Sequence, residues 1–175
     1  MNHKFYGVSA VAGAIAAGLG LVLPLAANAG HTNAVLSTHL DGSSEVAPDG
    51  ATDEMVGDPT GSGHAYVFGV DGDPTTLCYV LEVSGIQLVP VGEGIAAHIH
   101  EGGLYENGPV VAALAGPEDG DAGDCLTEGE EGKFPTGEAG IVQRILNNPG
   151  DFYINVHNPQ FPDGAIRGQL SGHAD

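Results

Sequence analysis

The 175-residue chain has no tryptophan, two cysteines and only four Lys plus Arg residues, and each shortage excludes something. One of the basic residues, Lys4, falls in the N-terminal segment, which leaves Lys133, Arg144 and Arg167 against 23 acidic residues. Three scattered cations cannot build the stripe that neutralises phosphates, so nucleic acid is not expected as a partner. Binding to an anionic membrane is disfavoured for the same reason. The chain also lacks Gly-x-Ser-x-Gly, a phosphate-cradling glycine loop ending in Lys, and His-Glu-x-x-His, which removes the commonest hydrolase, nucleotide-binding and metalloprotease signatures. With no Trp, 29 Gly and 11 Pro, short strands joined by turns are expected rather than long helices.

What is present begins with Met1 to Ala29. A short polar stretch with Lys4 leads into an apolar run, Val8 to Leu25, which closes on Ala27-Asn28-Ala29. This is the layout of a secretory signal peptide with cleavage before Gly30. An uncleaved anchor is the alternative, but Gly7 borders the run and Gly13, Gly18, Gly20 and Pro24 interrupt it, and no second apolar segment follows. The expected product is a secreted or periplasmic protein of the cell exterior, one domain over 30–175. Export puts Cys78 and Cys125 in an oxidising compartment, where one disulfide is expected, worth about 4 kcal/mol for a loop of roughly 50 residues. Two thiolate metal ligands are the alternative, which the missing Cys-x-x-Cys spacing disfavours.

Along the mature chain, Asn33 to Leu40 reads as a strand and Asp41 to Gly63 as a long acidic loop. His64–Val70 and Thr75–Val83 alternate around Asp71-Gly72-Asp73-Pro74, a hairpin signal. Leu77, Tyr79, Leu81 and Val83 should then share the core face. Ile95–His100 and Pro109–Leu114 form a second pair, Gly116–Gly132 an acidic loop carrying Cys125, and Ala139–Leu146 a short helix stopped before Pro149. Phe152–His157 is a strand, Asn158–Gly164 a turn, and Ala165–Leu170 the last strand. This pattern predicts an all-β, antiparallel sandwich.

Histidine on strands is the feature that could carry chemistry. In Ala96-Ala97-His98-Ile99-His100 the imidazoles stand at i and i+2, so both leave one face while Ile95, Ala97 and Ile99 take the other. In Phe152-Tyr153-Ile154-Asn155-Val156-His157 the apolar alternation likewise leaves His157 on the non-core face. If the two strands are neighbours, three imidazoles converge, a donor set suited to copper or zinc, with His39 or His64 as a possible fourth ligand. The alternative is that these histidines only fix nearby loops by hydrogen bonding. Asp119 to Glu130 offers a calcium-loop register with Glu at position twelve, but Asp124 stands where glycine is required. It reads better as a solvated acidic loop.

The runs His98-Ile-His-Glu-Gly-Gly, Asn107-Gly-Pro-Val-Val, Asn148-Pro-Gly-Asp-Phe-Tyr-Ile-Asn-Val-His and Pro162-Asp-Gly-Ala-Ile-Arg-Gly-Gln-Leu resemble the CHRD domain, the module named from chordin. The resemblance runs from about His31 to Ser171. It implies an immunoglobulin-like Greek-key sandwich related in topology to copper-zinc superoxide dismutase, and no established reaction. By analogy it implies a binding or structural module whose partner is an extracellular protein or matrix component. The dismutase copper site also uses a His-x-His strand and a later strand histidine, which His98, His100 and His157 could match, with Arg167 near the place of its guiding arginine. No histidine lies between His100 and His157, however, so the bridging ligand and zinc loop are missing. The negative charge also repels superoxide. The expectation is a binding module, with a copper or zinc protein as the alternative and an enzyme third.

Overall fold

The computed structural model describes residues 35–48 and 55–172, so the expected signal peptide at 1–29 lies outside the described residues. Nine strands form one continuous, strongly curled sheet in the order β5-β4-β7-β8-β1-β2-β3-β6, with β9 beside β1. The strands are β1 (Val35–Asp41), β2 (Ser62–Val70), β3 (Asp73–Ser84), β4 (Ala96–Glu101), β5 (Val110–Leu114), β6 (Asp121–Thr127), β7 (Phe152–Asn158), β8 (Phe161–Gln169) and β9 (Ser171–Gly172), and among the described residues one α-helix, α1, spans Ile141–Asn147. All ladders between them are antiparallel. No described helix is long and apolar enough to cross a membrane.

The predicted all-β sandwich is therefore what the chain forms, as two halves of one sheet wrapped over a common core. Leu36 and Leu40 of β1, Val67 of β2 and Leu77 and Leu81 of β3 meet Ile99 of β4, Ile154 and Val156 of β7 and Ile166 of β8 in one apolar cluster. Alternation produces this directly, because every second side chain of a strand faces the same way. The core face expected on β3 is buried throughout, with Leu77, Tyr79, Leu81 and Val83 all below a tenth exposed. Ile141, Val142, Ile145 and Leu146 of α1 close the cluster.

Two expectations need correction. The segment read as acidic loop at 116–132 contains β6, which pairs along β3 from Thr76↔Thr127 to Glu82↔Asp121. Its sequence, DAGDCLT, has almost no strand signal, since only Leu126 is fully buried. Pairing with β3 and the Cys78–Cys125 disulfide, formed between directly opposed residues, override local preference. The expected turn at Asn158–Gly164 is also shorter. Asn158 Oδ1 accepts from the backbone N–H groups of Gln160 and Phe161 at 3.1 and 2.8 Å, an Asx turn that reverses the chain at once and lets β8 begin at Phe161.

Candidate metal centre

β4 and β7 are neighbours, with Ala96↔His157, His98↔Asn155 and His100↔Tyr153 in register. Alternation sends Ala97 and Ile99 into the core and leaves His98 and His100 outside, on the face that carries His157. The three imidazoles converge there, each half-buried, with one ring nitrogen apiece lying within 4.8 Å of the others. An ion bound at about 2.0–2.1 Å would need them within about 4.2 Å of one another.

Hydrogen bonds single out which nitrogens face inward. His100 Nδ1 lies 2.8 Å from the Gly108 carbonyl oxygen and His157 Nδ1 2.9 Å from that of Pro162. A carbonyl only accepts, so each ring carries its proton on Nδ1 and presents a lone pair at Nε2. His98 Nδ1 is buried without a hydrogen-bond partner among the described residues, and a buried polar atom left in that state calls for an explanation. Burial also holds the rings neutral. It pushes His98 down to about 4, helped by His157 and His100, and it lowers His100 and His157 against the opposing effect of their carbonyl hydrogen bonds and, for His100, of a hydrogen bond with Asn155. Neutral imidazoles are the form in which histidine binds a transition-metal ion.

A second layer covers this face. Tyr153 stacks on His100, with ring centroids 4.9 Å apart and planes within 10°, and the Arg167 guanidinium lies 3.4 Å from the Tyr153 centroid. Arg167 is 1% exposed and donates to the carbonyls of Gly103 and Glu106, both at 2.8 Å, and to Asn107 Oδ1. It thereby clamps the 102–108 loop over the sheet and fixes the Gly108 carbonyl that orients His100. Gly108 must be glycine, because a Cβ there would collide with the Glu101 carbonyl. Arg167 is thus not the guiding arginine expected from the dismutase comparison, since a guanidinium sealed inside the protein cannot steer an incoming anion.

Glu45 completes the layer. It is buried beside Gly164, and burial pushes its carboxyl up to about 8 despite the nearby Arg167 and a hydrogen bond from Asn155. Nothing in the sequence points to Glu45, Tyr153 or Asn155, because the first comes from a distant loop and the other two sit on a face that alternation assigns to solvent.

Residues 36–170 match the CHRD domain family. The chain belongs to that family. No curated protein and no solved structure matches it. The match covers all three histidines, both cysteines and Arg167. His39 and His64 lie within it too, but they are not brought to this centre. They sit on β1 and β2, and β8 and β7 stand between β1 and β4 in the sheet. The calcium register gathers no metal-holding group among the described residues, and its Asp124 is taken up by Lys133 Nζ at 3.0 Å.

Proposed function

We propose that this CHRD domain is an exported metal-binding protein that holds copper, or zinc in its place, on His98 Nδ1, His100 Nε2 and His157 Nε2. The observation that carries the reading is the pairing of two backbone carbonyls with the outer nitrogens of His100 and His157. Outer hydrogen bonds of this kind fix the tautomer and aim the ligating nitrogen. Copper(II) is favoured over zinc by the general order of divalent affinities, and the ion would offer an open position to water or a small ligand. The strongly acidic surface supports the choice of a cation as cargo. Metal analysis of protein purified without a histidine tag tests the reading. About one equivalent of copper or zinc in the wild type, lost in His157→Ala, is expected; equal metal content in both proteins overturns it.

A second reading, a binding or structural module for an extracellular protein or matrix component, is supported by the other outer face. Tyr66 and Val80 are cross-strand partners there, 49% and 44% exposed. Metal-free protein that still binds such a partner, and loses binding in Tyr66→Ser, would favour it.

A further inference from the structure

The two histidines left out of the centre form an arrangement of their own. His39 of β1 and His64 of β2 are direct cross-strand partners, with ring centroids 4.8 Å apart and planes at 77°. Both are exposed. Asp41 Oδ1 is engaged by Ser43 and Ser44, while Oδ2 stands 3.7 Å from His39 Nδ1. At that distance the carboxylate sets a negative charge beside the ring without hydrogen-bonding it. Across the sheet, Glu82 stands opposite His64 and Asp121 opposite Glu82, so the imidazole pair opens onto a row of carboxylates that concentrates cations.

We propose that His39 and His64 form a second, separate site for a divalent transition-metal ion, a two-imidazole clamp on the exposed face of β1 and β2. Directly opposed residues of an antiparallel pair have Cβ atoms about 4.5–5.5 Å apart, so both rings reach one ion at about 2.0–2.1 Å without movement of the backbone. Water completes the coordination. Exposure and the smaller number of ligands make this site weaker and faster to exchange than a three-imidazole centre. Its chelate ties β1 to β2, so metal bound here stabilises that ladder.

Calorimetric titration of the tag-free mature protein with zinc sulfate tests the proposal, comparing wild type, His64→Ala, His39→Gln and His157→Ala. The expected result is a weaker equivalent of zinc that disappears in both His64→Ala and His39→Gln and survives in His157→Ala. In the His157→Ala background, zinc raises the thermal midpoint, and the added His64→Ala change removes that rise. Loss of the tighter equivalent alone in His157→Ala speaks to the three-histidine centre only, so the two readings fail separately. Unchanged zinc stoichiometry in folded His64→Ala and His39→Gln overturns the clamp.

Discussion

The two outer faces of the sheet are written in the same strand alternation, yet they end in opposite states. On β1 and β2 the outward row stays in water, and His39, His64 and Tyr66 are exposed. On β4, β7 and β8 the outward row is buried beneath the 102–108 loop, so Tyr153 is 2% and Asn155 4% exposed. What separates them is Arg167, the clamp that holds the loop down through three oxygen acceptors. Period-two patterning places a histidine on a face; only a covering layer desolvates it and selects its tautomer. One molecule thus carries a preorganised histidine cluster and a solvent-exposed one, and the contrast between them can be attacked residue by residue.

The largest effect should come from removing the clamp. Arg167→Ala strips the donor from two loop carbonyls and from Asn107, and it should lower the stability of the metal-free protein by about 3–5 kcal/mol in a urea titration, since hydrogen bonds from a charged donor are worth about 1.5–3 kcal/mol each and their buried acceptors are left unsatisfied. Copper affinity should fall with it as the Gly108 carbonyl loses its place.

Glu45 gives the next effect, with a defined sign. Its folded value of about 8 lies above the ordinary 4.5, so between those values the folded state holds a proton that the unfolded state has released. Stability from this group therefore declines as pH rises through that window. Glu45→Gln removes the titration, and its stability relative to wild type should improve by about 3 kcal/mol between pH 5 and pH 8. A difference independent of pH would show that the covered layer is wetter than described.

The histidines supply a smaller pH effect of opposite sign. Burial holds His98 near 4, below the ordinary 6.5, so the unfolded state takes up the proton first as pH falls. The metal-free protein should lose stability as pH drops from 6.5 toward 4, and the loss should diminish in His98→Ala. For the same reason copper binding at this centre should persist below pH 6 and weaken as the value for His98 is approached. On the bare face, His64→Ala should change the stability of the metal-free protein by less than about 0.5 kcal/mol. A larger change would mean that this face, too, depends on its histidines.

Much of this contrast was legible in the sequence. Alternation around Ile99 and Ile154 was enough to put His98, His100 and His157 on non-core faces, and the Asp71-Gly72 turn was enough to set the β2–β3 hairpin. The Cys78–Cys125 bond was legible in the even cysteine count and the export-like N-terminal sequence. Other features were not legible, because they depend on contacts distant in sequence. DAGDCLT becomes a strand only because β3 offers a partner and the disulfide pins it. The tautomers of His100 and His157 depend on carbonyls that a loop and a turn bring back to them. Glu45 joins the layer from a loop more than a hundred residues before Asn155, and no periodicity carries that information. His39 and His64 looked like spare ligands because spacing along the chain does not tell which half of the sheet a strand enters.

Backbone carbonyls preset which nitrogens of His100 and His157 face the ion. A crystal structure of the tag-free protein with copper(II) added tests this most directly. One ion is expected at about 2.0 Å from His98 Nδ1, His100 Nε2 and His157 Nε2, with both carbonyl hydrogen bonds intact; copper bound through His100 Nδ1 or His157 Nδ1, or absent from these three rings, overturns this assignment.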